Sequence, residues 1–300
     1  MKEKKKRKMN EINTGALIAS DMKRPKYKIL YTLIVLYLVI IIAAVVFPAL
    51  WMVLTCFKEP AELASVKQTF FPKQYDFGKI WTVFSKLKLY RYYVNTIVMS
   101  LGAVAFDVAF NGLAGYVLSR LKPLGSKLYF GLVTTLLLVT GGIVPLYMTF
   151  TDFPTGHFSM MGTYWPMWLM AGANMFNILL FKTSFDGISI SLIEAAKIDG
   201  ATSIKIFTKI VIPMSIPVIT TVAIFTFNGN FGSFFWPLLV VPEPAQQPFG
   251  VALFRFKNDP SVSMDWKMIA TFFSTIPQLL VFIAFQKKII GGINLGGVKG

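Results

Sequence analysis

One cysteine and one histidine among 300 residues leave no intrachain disulfide and no thiolate or imidazole cluster of the kind that holds zinc or iron. Acidic residues are also scarce, 14 against 30 Lys and Arg, and charged residues make up only 15% of the chain. No paired carboxylates stand at a spacing usable for acid–base work, and no nucleophile elbow is present, so an enzyme reading has nothing to stand on. A phosphate-cradling loop is missing too. Gly292 and Gly297 have the glycine spacing, but Val298 stands where the lysine is required, so any energy drawn from ATP has to come from another polypeptide. No tandem repeat and no low-complexity run beyond the basic beginning of the chain is present.

What is abundant is apolar: 55% of the residues are hydrophobic and 15% aromatic, with a mean hydropathy of +0.60. A soluble domain of this length rarely reaches such values, and the composition reads as an all-α polytopic membrane protein. The net charge of +16 does not indicate nucleic acid. The basic residues lie at the ends of apolar runs, where orientation and anionic membrane lipids account for them.

Six spans are expected, near residues 29–54, 93–118, 128–150, 164–185, 214–240 and 268–285, with only the fifth interrupted. Residues 1–28 hold ten of the thirty basic residues and read as a cytoplasmic tail. The first apolar run exceeds a signal-peptide core and lacks a small-x-small cleavage site, so it is expected to be a retained span. With both termini cytoplasmic, twenty Lys and Arg fall inside and ten outside, and the connection 151–163 has none. The first external segment, 55–92, carries seven basic residues against this trend. It also carries an amphipathic stretch, Phe77, Ile80, Trp81 and Phe84, suited to the outer interface. The membrane domain is thus expected over 29–290, followed by a flexible cytoplasmic tail at 291–300.

Residues 191–217, SLIEAAKIDGATSIKIFTKIVIPMSIP, form a polar interval between apolar runs. Ser191 and Glu194 have capping-box spacing, so a helix is expected to start there and to run through Leu192, Ile193, Ala195, Ala196 and Ile198. Asp199-Gly200 ends it. Thr202 or Ser203 caps a second helix carrying Ile204, Phe207, Ile210 and Val211 on one face. Lys197, Lys205 and Lys209 make this helix-turn-helix too charged for hydrocarbon and too apolar for a free linker. It belongs at the membrane surface, facing a partner.

Glu194-Ala195-Ala196, Asp199-Gly200-Ala201, Phe207, Ile210 and Pro213 resemble the EAA loop of ATP-binding-cassette importer permeases, in particular the carbohydrate-type permeases of the maltose-transporter class. Cys56-Phe57-Lys58-Glu59, Phe70-Phe71-Pro72, Asn95-Thr96, Ala114-Gly115-Tyr116, Ser119-Arg120 and the final GGINLGGVKG are similar to further parts of the same family. The resemblance implies a type I importer transmembrane architecture in a bacterial cell membrane, with the interval at about 186–213 as the coupling helix on a cytoplasmic ATPase. Glu194, Ala195, Ala196, Asp199, Gly200 and Ala201 would make that docking. It further implies a second homologous permease, two ATPase subunits that bind ATP and Mg, an extracytoplasmic solute-binding protein, and a sugar or oligosaccharide as cargo. The chain itself would bind no cofactor.

For the pathway, Asp107 is the only acidic residue inside a clear span, and Asn111 shares its face four residues on. A mid-membrane carboxylate is costly, about 2.5 to 3.5 kcal/mol on insertion scales, so Asp107 should face protein or water. It either lines a pathway or fixes packing. In the fifth span Asn228, Asn230, Phe231, Phe235 and Trp236 combine amides with aromatic faces, the chemistry of sugar recognition, around an expected helix break. The family resemblance places the pathway and gate there, often with a Trp-Asn pair where this chain has Gly229-Asn230. Thr140-Gly141-Gly142 with Pro145 would loosen the third span. His157 is a lone loop histidine without a metal or acid–base role. An importer of another solute, or a transporter driven by an ion gradient, is the alternative.

Overall fold

The computed structural model describes residues 25–67, 69–138, 141–152 and 158–293, with side chains described as far as 286. The expected tail over 1–24, Thr140 of the third-span hinge, His157 and the chain end from 294 lie outside the described residues. Among the described residues all regular structure is helical, and the chain divides into two compact units, one ending at Tyr75 and the other starting at Asp76.

The first unit holds α1 (Pro25–Thr55) and the short α2 (Pro60–Ala64). At 31 residues and about 1.5 Å per residue, α1 exceeds the roughly 30 Å hydrocarbon core. Its large apolar side chains from Ile29 to Leu50 are exposed on every side, as in a helix whose solvent is lipid. Beyond it the Lys58 ammonium lies 4.2 Å from the Trp51 ring centroid and donates to the Thr69 carbonyl. Phe70 packs on Phe47 and Trp51. A buried lysine paired with an aromatic face and a carbonyl is thus what joins the Cys56-Phe57-Lys58-Glu59 and Phe70-Phe71-Pro72 segments.

In the second unit α3 (Phe77–Lys86) starts at Asp76, whose side chain accepts the Lys79 N–H. Leu89–Leu121 forms α4, 33 residues long with π-helical turns at Asp107–Asn111 and Val117–Leu121. A third of its most apolar stretch is buried, against none of α1, and α4 is the helix on which the others pack. Next come α5 (Ser126–Leu138) and α6 (Ile143–Thr151), bent by 109°. They are followed by α7 (Trp165–Gly172), α8 (Met175–Asp186) and α9 (Ile190–Ile198). After these come α10 (Ser203–Met214), α11 (Ile216–Phe231), α12 (Phe235–Val240), α13 (Phe249–Asn258) and α14 (Met264–Ile293).

Among the described residues three helices are long and apolar enough to cross a membrane, α1, α4 and α14 through Gln286, and up to six crossings result if each bent pair counts as one. Two expectations about breaks need correction. The fourth apolar run is not continuous, because α7 ends at Gly172 and Asn174 caps a new helix by accepting the Asn177 N–H at 3.1 Å. In the fifth, the interruption expected over Asn228–Gly232 is present but later and shorter: Asn228–Phe231 remain helical, and the break falls at Gly232–Phe234.

Two apolar clusters organise the second unit. One gathers Met99, Phe150, Met160, Met167, Val240 and Val241. The other gathers Tyr116, Phe181, Phe185, Ile188, Ile193, Ile206, Val211 and Val222. Between them on α4 lies a polar layer at Asp107 and Asn111, both fully buried. The start of α4 is pinned by Asn95, which donates to the Ala245 and Gln247 carbonyls at 2.9 and 3.0 Å, and by Thr96, which accepts the Phe249 N–H at 2.7 Å. These bonds hold the loop between α12 and α13. They give the Asn95-Thr96 pair a structural task.

Candidate functional site

The polar layer is built from three helices. Asp107 Oδ1 accepts the Asn111 amide of the same helix at 2.6 Å, its Oδ2 accepts the Asn177 amide of α8 at 2.7 Å, and the Thr226 hydroxyl of α11 donates to the same oxygen. Asn111 reaches further. Its Nδ2 donates to the Ala171 carbonyl at 2.8 Å and its Oδ1 accepts the Asn174 N–H at 3.2 Å, closing the gap where α7 gives way to α8. The π-helical turn at Asp107–Asn111 widens the helix where both side chains must face inward. A carboxylate in an apolar bundle survives only with its lone pairs filled, and here amide and hydroxyl donors fill them. Among the described residues no group of His, Cys, Asp or Glu could hold a metal ion.

Beside this layer opens a cavity of about 340 Å³, lined by Asp107, Asn174, Asn177, Thr226, Asn230 and the rings of Phe176 and Phe225 among others. Phe176 and Phe225 are more than half and about half exposed, respectively, so the cavity opens at a face of the helix bundle rather than inside it. Amides and aromatic rings together suit a polyhydroxylated, uncharged solute.

Of the residues expected in the pathway, the structure brings Asp107, Asn111 and Asn230 together, with Asn230 donating to the Thr226 carbonyl at 2.9 Å. The others lie elsewhere. Asn228 has a buried Oδ1 without a partner, Phe231 is buried against Phe227, Phe235 is exposed, and Trp236 packs edge-on against Phe150. Asn174, Asn177 and Thr226 were not anticipated. The two asparagines are the signal that was available, three residues apart in an otherwise apolar run.

At the other apolar cluster the polar interval folds into two helices, as expected, with a different start. Ser189, not Ser191, precedes the first turn of α9, without a side-chain cap, and its hydroxyl lies 2.7 Å from that of Ser191. Glu194 is therefore past the capping position. Its exposed carboxylate makes no hydrogen bond or ion pair among the described residues. Gly200 takes φ +75°, ending α9 with the Ala201 N–H bonded to the Ala196 carbonyl at 2.9 Å. Thr202 caps α10. On α10 the expected Phe207, Ile210 and Val211 pack on the core, while Ile204 is 76% exposed and Ile206 is buried in its place.

Ile193, Ala196 and Ala201 thus face the core, and Glu194, Ala195, Asp199 and Gly200 face outward beside the exposed Ile190, Ile198 and Ile204. Exposed apolar side chains beside Glu194, Lys197 and Lys205 are the composition that suits a protein interface.

The family model for the binding-protein-dependent transport system inner membrane component matches residues 12–293. The galactooligosaccharides transport system permease protein GanQ of Bacillus subtilis is 28% identical over 290 residues, covering 94% of this chain and 99% of that protein. The arabinooligosaccharides transport system permease protein AraQ of Halalkalibacterium halodurans is 26% identical over 93% of this chain and 100% of its own. A solved chain from a bacterial ABC transporter involved in the import of the acidic polysaccharide alginate shares the fold, with a TM-score of 0.79 at 22% identity over 88% of this chain and 98% of that one.

Proposed function

This chain belongs to the family of binding-protein-dependent transport system inner membrane components, and we propose that it is the permease subunit of an ATP-binding-cassette importer carrying a sugar or oligosaccharide. It forms one half of the pathway beside a second, homologous permease, with up to six crossings and both termini in the cytoplasm of a bacterial cell. Two cytoplasmic ATPase subunits supply the energy by hydrolysing ATP with Mg, and an extracytoplasmic binding protein delivers the solute.

The observation that carries this proposal is the α9–α10 pair: an exposed glutamate and exposed isoleucines on a two-helix knob whose other side is locked into the core of the bundle. Such a knob seats in a groove of a motor and moves with the spans. Glu194, whose carboxylate makes no hydrogen bond or ion pair among the described residues, would accept a charged donor on the ATPase. ATP-driven closure of the motors would push the knob, and the spans would rock between openings toward the two sides of the membrane.

A sugar as cargo is supported by the oligosaccharide permeases among the relatives and by the amide and phenyl lining of the cavity. The test is mild-detergent purification of the tagged chain with mass spectrometry of what accompanies it, followed by a binding screen of the co-purified binding protein against neutral and acidic oligosaccharides, amino acids and inorganic ions. An ATPase and a second permease are expected. A homo-oligomer without an ATPase would sink the importer reading, and binding restricted to amino acids or ions would sink the sugar.

A further inference from the structure

Between α8 and α9 the chain turns by 76° within three residues, Gly187 to Ser189. At this knee the lever joins the span. A sharp turn between two helices leaves the last carbonyls of the first helix without intrahelical partners, and the turn swings unless something fills them.

The Ser184 and Phe185 carbonyls accept the Gly187 and Ile188 N–H groups of the turn at 3.2 and 3.1 Å, and Arg120, on the last π turn of α4, adds a donor from outside the turn. One terminal nitrogen of its guanidinium donates both to the Phe185 carbonyl, in the last turn of α8, and to the Ile188 carbonyl, two residues before α9. Its neighbours complete the joint. The Ser119 hydroxyl donates to Asp186 Oδ1 at 2.6 Å, Lys182 donates to Asp186 Oδ2 at 2.7 Å, and the Tyr116 hydroxyl donates to the Ser203 carbonyl at the start of α10 at 3.2 Å. One end of α4 thereby holds both sides of the knee and the far helix of the knob.

From this geometry we infer that Arg120 is a positioning residue for energy coupling, fixing the angle between α8 and α9 so that a push on the knob becomes a tilt of α4 and α8. The inference rests on the importer reading. The Arg120 side chain is only partly exposed, its Nε is buried without a hydrogen-bond partner among the described residues, and one terminal nitrogen is committed to this joint. Were the fork lost, the motor could still dock on α9 and hydrolyse ATP. The stroke would then be spent bending the knee.

The experiment uses the complete transporter, purified with its ATPases and reconstituted in liposomes with its binding protein and a mixture of galacto- and arabino-oligosaccharides. Wild type, Arg120→Met and Arg120→Lys are compared for bound ATPase, for basal ATP hydrolysis and for the stimulation of hydrolysis by the loaded binding protein. Arg120→Met is expected to keep the ATPase and the basal rate while losing at least tenfold of the stimulation. Arg120→Lys, which keeps the charge without the planar fork, is expected to lie between. A residue that merely stabilised the fold would lower assembly and both rates in proportion. Wild-type stimulation in Arg120→Met, or in Arg120→Lys should the methionine variant fail to assemble, overturns the inference. A wild-type preparation that contains no ATPase overturns the importer reading itself, and the coupling role with it.

Discussion

Replacing Asp107 by alanine and by asparagine separates a carboxylate that ties helices together from one that merely occupies space. The carboxylate accepts three bonds, from Asn111 in its own helix, Asn177 in α8 and Thr226 in α11. Side-chain bonds inside membrane bundles average about 0.6 kcal/mol and reach about 1.7 kcal/mol, so losing all three costs about 2 to 5 kcal/mol. In the alanine variant the Asn177 amide and the Thr226 hydroxyl also face a small void. Asparagine differs in kind. Its oxygen keeps the Asn111 bond, and a half-turn of the Asn177 amide presents a carbonyl to the new NH₂, while Thr226 accepts instead of donating. Every bond then has a neutral counterpart, and because charge-assisted bonds are roughly twice as strong as neutral ones, the expected loss is about half that of alanine, about 1 to 2.5 kcal/mol. Unfolding by SDS titration of the purified complex measures both. Equal destabilisation by the two variants, or none by alanine, would refute the three-helix account.

At Gly115 an added Cβ would lie 2.7 Å from the Phe181 Cβ and 3.0 Å from the Lys182 N, so Gly115→Ala is expected to cost about 1 to 3 kcal/mol by forcing α4 off α8, read in the same SDS titration; an unchanged midpoint would mean the helices do not approach this closely. Glu194→Ala is expected to reduce co-purified ATPase severalfold with the SDS midpoint unchanged, since the carboxylate makes no hydrogen bond or ion pair among the described residues; full retention of ATPase would remove Glu194 from the docking face. Gly200→Ala meets no neighbouring atom yet must adopt φ +75°, a strain of about 1 to 2 kcal/mol, and its expected mark is weaker ATPase retention with little loss of fold; Gly200→Asn, which tolerates that conformation better, should recover most of it.

Composition and periodicity made legible what depends on long runs: the helical membrane class, the approximate spans, and the two-helix interval with Asp199-Gly200 at its turn. Asp107 and Asn111 could be paired because four residues on a helix make neighbours. Asn177 and Thr226, which complete the same cluster, come from chain positions 70 and 119 residues away from Asp107, and no local pattern announces a contact set by how α8 and α11 pack on α4. The break before Asn174 was invisible for a related reason. The run is apolar through it, and what opens the helix is a side-chain cap within α8 reinforced by Asn111 across the bundle. On α10 the expected face held at Phe207, Ile210 and Val211, and only in the first turn does Ile206 take the buried place expected of Ile204.

Those π turns fall where the polar groups that cross between helices stand. The turn at Asp107–Asn111 holds both polar residues of the central layer, the turn at Val117–Leu121 holds Ser119 and Arg120, and the turn at Phe207–Val211 abuts the Tyr116 and Phe185 rings through Phe207. On the turn at Val117–Leu121, Ser119 bonds Asp186 and its neighbour Arg120 reaches the Phe185 and Ile188 carbonyls with its long side chain. Widening the helix leaves local backbone bonds less ideal and is tolerated where side chains bonded across the interface hold the turn in place. That condition is met at Asp107 by three donors and at Arg120 by two carbonyls. The distortions of α4 and α10 and the interhelical bonds therefore sustain one another, and they lie along the route from the exposed face of α9 to the cavity beside Asp107.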